Sequence, residues 1–416
     1  MTHRRLAAGM VVGVVGVGLG VVALANLGGS PPAALDVDDV VLGIGATETS
    51  RNLAWSANSS RGCVEYASSA DDVRVVEAHD SGERDGDPWF HATLTDLEPS
   101  AEYRYRVGDC AAAWSAPMSF TTDDGGSFSF LLFGDPQVGA DGTPPGPGWA
   151  MTLADAVGRF PHADFLLTTG DHVNATTNAG QTPQWELFTL PPALTGYPLA
   201  PTVGNHDEAY GTGVQFGERF ALPNLSTVGE TVAGNGNYWF RYNGALFMSL
   251  NTEDLDVAGH AAFLAETLGA TDATWTVVSF HHGPFAAGVH VGDDDVVMLR
   301  ETLTPVLSDL GIDLVLNGHD HSYARSFLMN GTAVVPGTGG PRLTPRDGEV
   351  LYLTANSSSG SKFFPLSGDH PWLAVALQDG MPSYTHVSVS RETLSLTTVR
   401  VPDGTVVDSV TLEREP

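Results

Sequence analysis

The sequence predicts two folds in series, a small all-β sandwich followed by a layered α/β domain, and three observations carry that reading. Residues 31–123 hold short alternating apolar runs separated by Gly, Asp, Ser and Pro turns. Beyond Asp123-Asp124-Gly125-Gly126, strand-like apolar runs alternate with helical segments. The chain then closes on three more strand-like runs joined by short turns. With 416 residues, 42% of them hydrophobic and 16% charged, there is ample material for two cores.

At the N-terminus, Arg4 and Arg5 precede an uncharged run from Leu6 to Leu27 that contains Ala23-Leu24-Ala25. Residues 1–30 therefore read either as a cleaved signal peptide or as an uncleaved membrane anchor. Both readings place the rest of the chain outside the cytoplasm, secreted or held at the outer face of the membrane. The two cysteines, Cys63 and Cys110, suit that compartment as a disulfide, with two buried free thiols as the other reading.

In the first domain, strands are expected at 40–44, 52–55, 63–66 and 103–107. The stretch HATLTDLEPSAEYRYRVGD, followed by WSAPMSFTT, resembles a fibronectin type III-like module. It carries no acid–base or nucleophile constellation, so a structural or positioning role is expected.

The second domain is expected over residues 127–416. Strand-like runs at 128–133, 165–169 and 275–280 are each followed by a helical segment, at 151–157, 184–190 and 296–310, before a last run at 314–316. Runs at 238–240 and 246–250 flank Asn243-Gly244, a strong hairpin signal. Runs at 384–390, 393–400 and 405–412 form the closing β-meander.

Polar clusters follow the strands. They are Gly134-Asp135-Pro136-Gln137, Gly170-Asp171-His172-Val173-Asn174, Gly204-Asn205-His206-Asp207, His281-His282-Gly283-Pro284 and Asn317-Gly318-His319-Asp320-His321. In α/β sheets, ligands bind beyond the carboxyl ends of strands. Oxygen and nitrogen donors without thiolate suit Mn, Fe, Zn or Mg.

In this order the five clusters resemble those of the calcineurin-like metallophosphoesterases. With the first domain included, the chain from about residue 36 onward resembles a purple acid phosphatase-type member. The resemblance implies a layered β-sandwich flanked by helices and a centre of two divalent ions, Mn, Fe or Zn. Asp171 would bridge them. The first ion would take Asp135, Asp171 and His321, with Gln137 where many members have histidine. The second would take Asp171, Asn205, His281 and His319. His206 would stabilise charge on the phosphoryl group or protonate the leaving oxygen, with Asp207 orienting its ring. His282 and His290 would face the substrate. The implied reaction is hydrolysis of phosphomonoesters by in-line attack of a metal-bound hydroxide. A phosphodiesterase or nucleotidase with the same metals, and an inactive secreted binding protein, are the alternatives. Asn174 departs from the pattern, because the purple enzymes place an iron-ligating tyrosine there. The expected protein is therefore not purple, and works nearer neutral than strongly acidic pH.

Charge narrows the partners further. Asp and Glu number 49 against 19 Lys and Arg, a net charge of −30, and Lys362 is the sole lysine. Such a surface repels nucleic acid and anionic membranes, leaving a small phosphate ester as the expected partner and membrane contact only through an uncleaved anchor. A phosphate-binding GxxxxGK[ST] loop and a Gly-x-Ser-x-Gly nucleophile turn are both missing. His162, His172, His260 and His370 read as surface or packing residues.

Overall fold

A computed structural model describes residues 35–84, 87–140, 147–208, 213–230, 234–401 and 403–414. The targeting segment expected at residues 1–30 lies outside the described residues. From Leu35 onward the chain forms one compact unit.

The first sandwich has two antiparallel layers. Val37–Ile44, Arg51–Ala57, Asp87–Leu94 and His79–Arg84 make one; Arg74–Glu77, Cys63–Ala67, Glu102–Gly108 and Met118–Thr121 make the other. Period-2 alternation sets the faces. Along Glu102–Gly108, Tyr103, Tyr105 and Val107 are buried while Glu102 and Arg104 are exposed. The buried set meets Leu42, Leu53, Trp55 and Phe90 in one apolar core. Cys63 lies opposite Gly108 in the strand register, which brings Cys110 within reach. The two cysteines form a disulfide with Cα atoms 5.0 Å apart, as a pair within reach must.

The domains are not simply in series. Gly43 pairs in parallel with Leu199, so the first layer continues into the second domain as one eleven-stranded sheet. That sheet runs on through Leu199–Pro201, Phe165–Thr168 and Phe128–Phe133, all parallel, then through the meander Ser383–Val389, Thr393–Arg400 and Val406–Glu413, and ends on the short strand Arg342–Leu343.

A second sheet faces it. Ala245–Ser249, Trp275–Ser279, Leu314–Asn317 and Leu351–Thr354 are parallel neighbours, with Tyr238–Tyr242 added antiparallel at one edge. The hairpin at Asn243-Gly244 has positive φ at both residues, 42° and 82°, as a type I′ turn requires. Phe130, Leu132, Phe165 and Leu167 from one sheet pack on Phe240, Phe247, Val277 and Leu316 from the other. Helices cover both outer faces. Pro147–Arg159, Asn178–Thr189 and Val214–Arg219 bring Trp149, Trp185 and Phe216 to the first sheet, and Val257–Gly269 and Asp294–Asp309 bring Leu264, Leu299 and Leu303 to the second. Strands buried on both faces read as continuous apolar runs, which is why 165–168 and 314–317 show no alternation.

Candidate metal centre

Each of the five polar clusters begins where a parallel strand ends, and the backbone there bends sharply. Asp135, Gln137, Asp171, His319 and His321 all have positive φ, at 36°, 36°, 52°, 72° and 46°. Side chains other than glycine pay roughly 1–3 kcal/mol each for sparsely populated backbone, so the surrounding fold must impose it. The left-handed step turns each side chain back over the strand end instead of outward. The preceding glycines make room. A Cβ at Gly170 would lie 2.6 Å from Nδ1 of His281, and one at Gly318 would lie 2.6 Å from Oδ2 of Asp135.

The side chains converge around Asp171. Its Oδ1 lies 3.4 Å from Nε2 of His281. That nitrogen is 3.0 Å from Oδ1 of Asn205 and 3.2 Å from Nδ1 of His319, which is itself 3.1 Å from the same Asn205 oxygen. On the other side, Oδ2 of Asp171 accepts a hydrogen bond from Nε2 of Gln137 at 2.9 Å. Nε2 of His321 stands 3.5 Å from Oδ1 of Asp135. Oδ1 of Asp171 thus faces the Asn205–His281–His319 side and Oδ2 faces Gln137, while ligand atoms of Asp135, Asp171 and His281 all lie within 4.8 Å of one another.

These residues fit a metal pair. Nδ1–H of His281 donates to the Thr169 carbonyl at 2.7 Å, and Nδ1–H of His321 donates to the Lys362 carbonyl at 2.9 Å. Each ring is thereby fixed with Nε2 turned into the site. Oε1 of Gln137 is buried without a hydrogen-bond partner, an orphan that a cation would satisfy.

Electrostatics divide these donors into two kinds. Burial, reinforced by the neighbouring Asp171, pushes the Asp135 carboxyl well above the usual carboxylate range, with His281 opposing. Burial also disfavours charge on Asp171, but His281 and His206 outweigh it and hold that carboxyl well below the usual range. Burial pushes His281 down, but Asp171 and Asp135 more than offset it and raise the ring to about 10. Burial lowers His319 well below its ordinary value and brings His321 to about 4. Neutral His319 and His321 beside an ionised Asp171 suit divalent ions as they stand, whereas Asp135 and His281 would each give up a proton to them, as metal binding does at protonated ligands.

His206 sits beside this set. Its Nδ1 contacts the Asn174 carbonyl at 2.5 Å, its Nε2 is 3.9 Å from Oδ2 of Asp171, and its side chain is 19% exposed. Asp207 does not orient that ring. Its buried carboxylate accepts from the Gly204 N–H and the His172 N–H and pairs with Nδ1 of His172, all at 2.9 Å. Consecutive residues on the 204–207 turn point apart, so His206 looks out and Asp207 looks in. His172, expected as a surface or packing residue, is fully buried among Trp185, Phe188, Phe216 and Phe220.

The two expected substrate histidines part company. His282 is buried, with Nδ1 2.8 Å from the Thr252 hydroxyl and Nε2 3.5 Å from Asp295. It backs His319, ring centroids 4.8 Å apart, and is buried, not open to a substrate as expected. His290 is partly exposed, its ring tilted against that of His319 with centroids 4.5 Å apart, and bonded through Nδ1 to Asp293 at 2.7 Å. Sequence reading missed the Thr169 and Lys362 carbonyls, which any residue could supply, and Phe364, whose ring lies 4.8 Å from His290 and 5.0 Å from His321. The aromatic pair Phe363-Phe364 in a polar loop was the available signal.

Residues 128–323 match the family model for calcineurin-like phosphoesterases, and residues 37–122 match that for the purple acid phosphatase N-terminal domain. Purple acid phosphatase 23 of Arabidopsis thaliana is 26% identical over 263 residues, covering 56% of this chain and 57% of the relative. Acid phosphatase type 7 of Mus musculus is 23% identical, covering 77% and 76%. Among solved structures, the purple acid phosphatase from yellow lupin (Lupinus luteus) seeds shares the fold with a TM-score of 0.75 at 17% identity, over 91% of this chain and 74% of that one. A structure of PhoD shares it with a TM-score of 0.62 at 13% identity, over 90% and 89%. The match spans little more than half the length of the Arabidopsis relative. The second domain is a calcineurin-like phosphoesterase domain. It is joined to a purple acid phosphatase N-terminal domain.

Proposed function

We propose that this protein hydrolyses phosphate monoesters outside the cytoplasm, at a centre of two divalent ions. The observation that carries the reading is Asp171, whose Oδ1 faces the Asn205–His281–His319 side and whose Oδ2 meets Gln137, with Asp135 and His321 paired alongside. Two such ions supply Lewis acidity toward phosphoryl oxygens and a water of lowered pKa. The chain holds and orients the rest. His206, partly exposed and tethered by the Asn174 carbonyl, is placed to offset charge on the phosphoryl group and to hand a proton to the leaving oxygen. Asn174 takes part through its backbone, and its amide side chain has no phenolate to bind ferric iron. A colourless Mn, Fe(II) or Zn pair follows, with an optimum nearer neutral pH. The Cys63–Cys110 disulfide supports an oxidising, extracytoplasmic location.

The test is initial rates on p-nitrophenyl phosphate, bis(p-nitrophenyl) phosphate and a nucleotide panel after loading with Mn, Fe(II) or Zn. The monoester should turn over fastest. A faster diester would move the reading to a phosphodiesterase, and no turnover of any ester would end it. A tyrosinate–iron band in the visible spectrum would contradict the reading of Asn174.

A further inference from the structure

Both imidazoles of Gly318-His319-Asp320-His321 turn toward the metal donors, but the aspartate between them turns away. Asp320 is 1% exposed. Its Oδ1 accepts the His290 N–H at 3.0 Å, and its Oδ2 accepts the Gly288 N–H. The approach is close enough that a Cβ at Gly288 would lie 2.8 Å from both carboxylate oxygens. With both oxygens committed to backbone N–H groups, Asp320 is not part of the donor set.

The segment it grips, 286–290, leads from the metal-facing His281 to the partly exposed His290. Other elements hold the carbonyls of the same loop. Arg300 donates to Pro284 and Val291, the Ser367 N–H donates to Ala287 at 2.8 Å, and the Trp372 indole donates to Ala286 at 3.0 Å. Asp320 is what holds the amide side, and it does so from the turn that carries His319 and His321. His290 is then placed by two carboxylates, Asp320 on its backbone and Asp293 on Nδ1 of its ring. Its ring lies 4.5 Å from that of His319.

We propose that Asp320 is a positioning residue that ties His290 to the metal-binding turn, so that one turn sets both the ion ligands and the substrate-facing imidazole. The proposal rests on the reading that His290 meets the phosphate ester. A merely structural aspartate would act on folding and would do so independently of His290.

The experiment is a double-mutant cycle on the full chain, loaded with Zn, using Asp320→Ala, His290→Ala and the pair. The readouts are kcat and KM on p-nitrophenyl phosphate, ions per chain, inorganic phosphate affinity by calorimetry, and His290 imidazole signals in histidine-labelled protein by NMR. Asp320→Ala should lower kcat/KM roughly a hundredfold, the scale set by small misplacements of a reacting group. It should keep two ions per chain, weaken phosphate binding in step with His290→Ala and shift the His290 signals. The double variant should be no slower than His290→Ala alone. Losses that multiply, ions lost from Asp320→Ala, or unmoved His290 signals would overturn the proposal. If Asp320→Ala does not fold, Asp320→Asn keeps one acceptor and should show an intermediate loss with the same non-additivity. A wild-type protein inactive on every ester would remove the proposed function, and the imidazole signals would still decide the positioning role.

Discussion

In the first sandwich, Cys63–Ala67 pairs antiparallel with both Arg74–Glu77 and Glu102–Gly108, so successive strand ends point to opposite rims. In the second, Phe128–Phe133, Phe165–Thr168 and Leu199–Pro201 run parallel, as do Trp275–Ser279, Leu314–Asn317 and Leu351–Thr354 in the facing sheet. Both sandwiches close on aromatic cores. The difference is direction. Parallel strands deliver all their carboxyl ends to one rim, where short turns can converge on a ligand, whereas antiparallel strands scatter theirs. Positive φ follows the same division. In the first domain it falls at dispersed turns such as Asp96, Ser100 and Cys110, and in the second it gathers at Asp135, Gln137, Asp171, His319 and His321. On the proposed function, the antiparallel domain is a support and the parallel one carries the chemistry.

Changes on each side should therefore separate function from stability. The largest effect belongs to Asp171→Ala. Elemental analysis should show both ions lost together and turnover at the buffer rate, with the first sandwich still folded by its disulfide-dependent stability. The second belongs to the support. Opening the disulfide with Cys63→Ser/Cys110→Ser releases a loop of 47 positions, worth about 4 kcal/mol on the chain-entropy model. The denaturant midpoint should fall while the ion count stays unchanged.

A third prediction tests the junction between the two regions. His91, on a strand of the first sandwich, contacts at 2.8 Å the carbonyl of Glu218, in the last turn of helix Val214–Arg219 of the second. Burial pushes its pKa down to about 4, only partly opposed by that carbonyl. Its folded pKa lies below the unfolded value, so the unfolded chain takes up the proton first as pH falls. Stability from neutral His91 is complete above about pH 6.5 and is lost toward pH 4, by up to roughly 3 kcal/mol. Urea titrations across that window should show the decline, and His91→Gln should flatten it. The smallest effect is at the hairpin. Asn243→Ala puts alanine at a φ of 42° and should cost about 1 kcal/mol in a denaturant titration, without changing ion content.

What could be read from the amino-acid sequence follows from the same physics. The donor residues were legible because each ends an apolar run with a glycine or histidine turn, and such turns are local. The hairpin at Asn243-Gly244 and the closing meander were legible for the same reason. Direction was not. Nothing in Gly204-Asn205-His206-Asp207 says that the aspartate turns inward to His172, because neighbouring residues on a tight turn diverge according to tertiary packing. Helix Val257–Gly269, absent from the expected elements, carries His260 and two glycines that blur its apolar face. The shared sheet hangs on one bridge, Gly43 to Leu199, between segments far apart in the chain.

The central claim is that the parallel strand ends build one two-ion centre around Asp171. Its most direct test is ions per chain in purified wild-type protein and in Asp171→Asn, measured beside the rate on p-nitrophenyl phosphate. Two divalent ions in an active wild type, with both ions and the rate lost together in Asp171→Asn, is the predicted result. An active wild type holding a single ion, or an Asp171→Asn variant that keeps two ions and full turnover, would contradict it.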